Sequence, residues 1–347
     1  MIRHVAGAAG PPDGACDVDV VILALDRAVE TCAAIDSALE QTGVSRHVVV
    51  LDQGSRPDAL ARVAAHVAGR PDVSLWASPV NLGVGGGRNR ATALGRGRVI
   101  AALDNDAAFD SPDTLARAVA ALEEDPALGI VGCRIVSDFT GRDDLSSWGY
   151  PARMLAQSAA TFEAATFVGA GHMIRRAAWN EAGGYDPRLF FCWEEFDLSL
   201  RAIAAGWRIR YRGDLVVRHK VSGEQRVAWS AGRWHFHVRN RLFIARKYGA
   251  SWMALLPRIA GYLLRGLRNG LLPQTLSAIL DAVRMAPAGA PLPAAALAYL
   301  AMTDTARRGG WGVRLRQEVL AGLPIGIRRT VLAHHPRALN QSVRPLP

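Results

Sequence analysis

The apolar run from Val99 to Leu103 stops on Asp104-Asn105-Asp106. Carboxylates are costly to bury unless paired, hydrogen-bonded or bound to metal, so two acids one residue apart at the end of a buried-type strand call for a counter-charge. Such a pair, with diphosphate oxygens, can hold Mg²⁺ or Mn²⁺, hard ions that prefer oxygen ligands. Two solvated turn acids are the plainer alternative. A second acidic group, Glu194, Glu195 and Asp197, is flanked by Phe190, Phe191, Trp193 and Phe196. Like charges crowded beside aromatics raise at least one pKa, as a general base requires, while a helix N-terminus also favours acids. Asp52, closing "VVVLDQGS", suits either a turn or hydrogen bonds to a base or ribose. His219 in "VVRHK" suits either a structural role or a metal. In "NLGVGGGRNRA" the glycines miss the G-x-G-x-x-G spacing but permit close backbone approach, and Arg88 and Arg90 are placed to meet phosphate.

These residues need elements to position them. "DVVILAL", "HVVVLDQGS", "VSLWAS" and "VIAALD" read as buried strands, with helical patterns "ETCAAIDSALEQ" and "PDALARVAAHVAG" between the first three. Alternating strands and helices predict a parallel α/β sheet with crossover helices, and such sheets bind ligands outside the carboxyl ends of their strands. Asp26, Asp52, Asn81, Asp104 and Asp106 all fall at or just after such ends. From about residue 110 to 249 the pattern is mixed. Beyond Gly249 acids nearly vanish, leaving Asp281, Asp304 and Glu318. From Leu255 to Leu272 a basic amphipathic helix is expected, with Arg258, Arg265 and Asn269 on one face.

The chain has 347 residues, 41 basic and 31 acidic, for a net charge of +10, which points to an anionic partner without choosing one. The four cysteines show no C-x-x-C spacing, against a disulfide framework or zinc site. "MIRHVAGAAGPPDGACD" lacks the apolar core of a signal peptide and reads as a flexible tail. No run of about 18 apolar residues is present, so no transmembrane helix is expected. Basic residues concentrate in an apolar helical tail without an aromatic-basic groove, which ranks nucleic acid low as a partner.

The ordered set "VVILALDR", "VVVLDQGS", "NLGVGGGRNRA", "VIAALDNDAAF", "FVGAGHMIRRAAWNEAGGYDPRLFF", "WEEFDLSLRAIAAGWRIRY" and "VVRHK" resembles the inverting nucleotide-sugar transferases of glycosyltransferase family 2, rhamnosyltransferases among them. The resemblance covers roughly residues 17 to 249. It implies a GT-A fold: a Rossmann-like, mostly parallel sheet flanked by helices, followed by an amphipathic helical segment. It implies a tail over 1–16, a nucleotide-sugar-binding half over 17–107, an acceptor-binding half over 108–249, and a basic helical region over 250–347.

By the same resemblance, Asp26, Asp52, Asn81, Arg88, Asp104 and Asn105 bind the nucleotide sugar. Asp106, Asp104 and His219 hold Mg²⁺ or Mn²⁺. Glu195, or its neighbour Glu194, is the base, and Gly169, Gly171 and Trp193 border the acceptor. The implied reaction moves one sugar from a nucleoside-diphosphate sugar to a glycan or lipid-linked hydroxyl in cell-surface polysaccharide synthesis. Ser230 stands where processive members carry the Gln of Q-x-x-R-W, which favours single-sugar transfer. A cytoplasmic location is implied, with residues 255–272 either meeting an anionic membrane surface on the inner face of the plasma membrane or packing on the catalytic domain. The alternative is a catalytically silent nucleotide-sugar or glycan-binding protein on the same fold.

Overall fold

The computed structural model describes residues 2–14, 16–220 and 230–308. They form two compact units, the first of residues 2–14, 16–190, 194–220 and 293–307, the second of 191–193, 230–292 and 308. The helix Ala231–Lys247, expected in the acceptor-binding half ending at residue 249, clusters with the second unit.

The first unit is a ten-stranded sheet of order β1-β4-β3-β2-β5-β9-β7-β10-β6, with β8 paired to β10. Its parallel half holds β2 (Val18–Ala24), β3 (Arg46–Asp52), β4 (Val73–Ala77) and β5 (Val99–Asp104). The crossovers are α1 (Ala28–Leu39), α2 (Pro57–Val67) and α3 (Gly83–Thr92). Valines and isoleucines of β2 and β3 are buried on both faces, the pattern of strands covered by helices on each side. Each such side chain contributes about 1.5–3 kcal/mol on burial.

The mixed half holds β6 (Ala107–Phe109), β7 (Leu128–Ser137), β8 (Thr161–Ala164), β9 (Gly171–Arg175) and β10 (Arg208–His219). Helices α4 (Thr114–Glu124), α5 (Arg176–Ala182) and α6 (Glu194–Ala204) accompany them.

One expectation changes here. The segment read as a flexible tail contributes β1 (Arg3–Gly7), which pairs antiparallel with the edge strand β4. Unused hydrogen-bonding groups on that edge supply the partner that composition does not reveal. The glycine-rich stretch is mostly the helix α3. A Cβ on Gly83 would lie 2.3 Å from the Phe190 carbonyl oxygen, and one on Gly87 2.7 Å from Gln53 Oε1 and 3.0 Å from Leu23 Cδ1. These glycines are there for close approach to neighbouring protein.

The second unit holds α7 (Ala231–Lys247), α8 (Trp252–Arg268) and α9 (Leu272–Arg284) around Trp234, Val238, Leu242, Leu255, Tyr262 and Ala278. The Trp234 indole donates to Thr275 Oγ1 at 2.8 Å. The helix expected over 255–272 is α8, and it ends where Gly270 takes a left-handed φ of 68° before α9 begins. Helix α10 (Ala294–Thr303), expected in the C-terminal region, instead belongs to the first unit. There the Tyr299 hydroxyl donates to the Ala164 carbonyl and accepts from the Ile209 amide, both at 3.0 Å. Residues 309–347 of that expected region lie outside the described residues.

Candidate active site

Register explains why the acids meet. Parallel pairing sets Ala24 beside Asp52 and Leu23 beside Asp104, so three strands end along one edge of the sheet. The chain then turns at Asn105-Asp106, and β6 runs antiparallel to the end of β10, setting Ala107 opposite His219. Asp104, Asp106 and His219 each offer one ligand atom, and these atoms all lie within 4.8 Å of one another. Asp106 is buried and His219 fully so.

The His219 ring bridges two carboxylates, with Nε2 3.2 Å from Asp106 Oδ1 and Nδ1 3.1 Å from Asp144 Oδ2. A carboxylate behind an imidazole fixes the ring and its tautomer, and here it turns Nε2 toward Asp106. Two carboxylates with one imidazole form an O,O,N donor set that fits Mn²⁺ and also accepts Mg²⁺. The outer oxygen of Asp106, Oδ2, is ion-paired with Arg27.

A second cluster adjoins Asp104. Arg88, on α3, is 3% exposed and donates from Nη2 to Asp104 Oδ1 at 2.9 Å and to the Gly169 carbonyl at 2.7 Å. From Nη1 it reaches Glu195 Oε1 at 3.3 Å. The guanidinium expected to meet phosphate is thus held between two acids. A Cβ on Gly169 would lie 2.3 Å from Glu195 Oε1, so this glycine makes room for that carboxylate.

Glu194 and Glu195 open α6, where the helix N-terminus favours negative charge. Burial nevertheless pushes the Glu195 carboxyl up, opposed by Arg88. Burial, and then repulsion from Glu195, pushes Glu194 well above the usual carboxylate range, and its Oε2 has no hydrogen-bond partner among the described residues. Asp197 turns to Arg201 instead, 2.9 Å away. Behind Arg88, the Tyr185 hydroxyl donates to His172 Nε2 at 3.0 Å, and His172 Nδ1 donates to the Val168 carbonyl at 3.1 Å. Burial and the Arg88 charge hold that imidazole neutral.

The remaining expected residues fall into place variously. Asp52 Oδ1 accepts from the Gly54 and Ser55 amides, both at 3.1 Å. Asp26 Oδ1 accepts from the Arg56 amide at 3.0 Å, and Asn81 Oδ1 from the Gly83 amide at 2.8 Å, so both brace turns at strand ends. Asn105 Nδ2 donates to Thr31 Oγ1 at 3.2 Å. Gly171 lies in β9, where a Cβ would press on Val217 Cγ2 at 2.7 Å, which is a packing role. Trp193 belongs to the second unit. Its indole donates to the His237 carbonyl at 3.0 Å, and the Arg241 guanidinium lies 5.1 Å from its ring centre.

Sequence reasoning missed Arg27 and Asp144. Asp144 lies 75 residues before the histidine it touches, in a loop with no motif. For Arg27, the only signal was its place directly after a strand end.

Residues 19–183 match the model of the family described as glycosyl transferase family 2. Among curated proteins, the chain is 42% identical over 111 residues to succinoglycan biosynthesis protein ExoO of Rhizobium meliloti (strain 1021), covering 31% of each. It is 33% identical over 85 residues to N-acetylglucosaminyl-diphospho-decaprenol L-rhamnosyltransferase of Mycobacterium tuberculosis (strain CDC 1551 / Oshkosh), covering 24% of this chain and 27% of that protein. The chain spans less than a third of the length of these curated relatives. Among solved structures, mannosyltransferase PcManGT from Pyrobaculum calidifontis, in complex with GDP-Man and Mn²⁺, superposes with a TM-score of 0.52 at 23% identity, covering 91% of this chain and 88% of that one. At that identity the likeness is one of fold, the GT-A arrangement.

Proposed function

From the premise that the chain carries a glycosyl transferase family 2 domain over residues 19–183, we propose that it is an inverting, metal-dependent glycosyltransferase. It moves one sugar from a nucleoside-diphosphate sugar to a glycan or lipid-linked hydroxyl in cell-surface polysaccharide synthesis. The observation that carries this reading is the juxtaposition of the Asp104, Asp106 and His219 cluster with Glu195, joined through Arg88.

Asp104, Asp106 and His219 would hold the cation, Mg²⁺ or Mn²⁺. When bound, it supplies positive charge against the diphosphate as that group departs. Asp52 Oδ2 accepts a hydrogen bond from the nucleoside. Glu195 takes the proton from the acceptor hydroxyl, whose oxygen attacks the anomeric carbon opposite the diphosphate and inverts it. A positioned general base contributes about 10²–10⁴-fold in rate. Arg88 opposes the upward push of burial on Glu195 and aims its carboxylate, while burial lowers the basicity of His172 behind it.

The acceptor is met at an anionic membrane surface through the second unit. Met253, Leu256, Leu264 and Leu267 are exposed on α8, and Arg258, Arg265 and Arg268 share that helix, the composition of an interfacial helix. The decaprenol-linked substrate in the name of the mycobacterial relative agrees with this reading. No described helix is long and apolar enough to cross a membrane.

The test is nucleoside diphosphate release from UDP-, GDP- and dTDP-sugars with Mn²⁺ or Mg²⁺, alone and with membrane lipid extract. Metal-dependent release from one donor, lost in Asp106→Ala, is expected. Release that persists in the variant would contradict the assignment.

A further inference from the structure

Helix α1 begins on a residue that the helix does not want. Arg27 occupies its N-cap position with no side-chain capping bond, where Ser, Thr, Asp or Asn would satisfy free amides. A cation there also opposes the helix dipole. Its backbone is left-handed, φ 48°, and so is that of Asp26, φ 53°. Two successive left-handed non-glycine residues persist only where their surroundings over-determine them, and such strain collects at functional sites.

The surroundings do so here. Asp26 N donates to Ser55 Oγ at 2.7 Å, and the Arg56 amide donates to Asp26 Oδ1. The Thr31 amide and hydroxyl both donate to the Arg27 carbonyl, at 2.9 and 3.0 Å. Anchored in this way, Arg27 directs its guanidinium to Asp106 Oδ2, the oxygen facing away from His219. The two partners differ in access: the Arg27 side chain is 44% exposed and that of Asp106 only 9%. One is fixed in the site; the other can leave it.

We propose that Arg27 is a stand-in cation for the metal site and then a clamp on the donor diphosphate. This rests on the reading of Asp104, Asp106 and His219 as metal ligands. While the site lacks a divalent ion, the guanidinium neutralises Asp106. When a divalent ion takes that carboxylate, Arg27 is displaced to solvent-facing positions beside the same cluster. Its planar fork of donors then matches the oxygens of a diphosphate. Arg27 is thus a ligand-binding and positioning residue whose two roles carry opposite signs: it competes with metal and assists nucleotide.

That opposition makes the test sharp, because a merely structural residue would weaken both ligands on removal. On the full chain, Mn²⁺ binding is measured by electron paramagnetic resonance without nucleotide. Binding of UDP, GDP and dTDP is then measured at saturating Mn²⁺. Arg27→Ala is expected to tighten Mn²⁺ binding about fivefold, the scale of a half-exposed ion pair. It should weaken the preferred nucleotide about tenfold, the scale of a charge-assisted bond. Arg27→Lys keeps the charge without the fork, so Mn²⁺ affinity should stay near wild type while nucleotide affinity falls. Weaker Mn²⁺ binding in Arg27→Ala, or unchanged nucleotide affinity in either variant, would overturn the proposal while leaving the metal site intact. A wild-type protein that binds neither Mn²⁺ nor any of the three nucleotides would overturn the functional reading itself.

Discussion

Glu194 carries a cost that can be measured. It is 3% exposed, its Oε2 has no hydrogen-bond partner among the described residues, and its neighbours include the acids Glu195 and Asp104 as well as Arg88. Its carboxyl holds a proton more tightly in the folded chain than in the unfolded one. Stability therefore falls as pH rises from the ordinary carboxylate range to the raised folded value, and the loss persists above it. Glu194→Gln removes that penalty. The variant should be about 1–3 kcal/mol more stable at pH 7, and the gap should close as pH falls to about 4, where the unfolded carboxyl also protonates. Thermal melts across pH check this; a variant that melts at or below wild type at pH 7 would contradict it.

The pairing of Glu194 with Glu195 was legible, since adjacent acids among aromatics announce a perturbed carboxyl. The ion pair that steadies Glu195 was not, because Arg88 lies 107 residues away and looked like a phosphate ligand. Asp104, Asp106 and His219 could be named individually from sequence. Their meeting depends on the β6–β10 register, which no local pattern encodes.

At the scale of elements, α8 makes the clearest demand. Its buried face, Leu255 and Tyr262, serves the core of the second unit, yet Leu256 is 50% and Leu267 63% exposed. Two leucines entering the headgroup boundary contribute about 2 kcal/mol each. The full chain should therefore float with phosphatidylglycerol vesicles and far less with neutral ones. Leu256→Asn with Leu267→Asn should lower the bound fraction at least tenfold at unchanged melting temperature. Binding that ignores both substitutions would remove α8 from the account.

Strands β2 to β5 could be read directly because buried parallel strands are continuous apolar runs. Strand β1 could not, since "RHVAG" is half polar and owes its conformation to the edge of β4. Helix α3 was hidden by four glycines that disfavour a helix locally, a preference overridden by tight contacts with Phe190, Gln53 and Leu23. The basic helix was expected to run to Leu272; only the left-handed turn at Gly270 shows where it stops.

For the whole molecule, the excess of basic residues and the acidic site are not in conflict. The site carboxylates lie at one strand-end edge of the first unit, where Arg27 and Arg88 pair with them, while arginines dominate the acid-poor segment after Gly249. This distribution suits the anionic donor and anionic surface proposed above. The same fold would serve a protein that only binds nucleotide sugar, and the proposed base, Glu195, separates the two readings. The decisive measurement is sugar transfer and nucleotide affinity side by side for wild type and Glu195→Gln, an exchange that keeps size and removes charge. The account predicts nucleotide affinity within about twofold of wild type and transfer lower by about 100-fold or more. Transfer at the wild-type rate would contradict it.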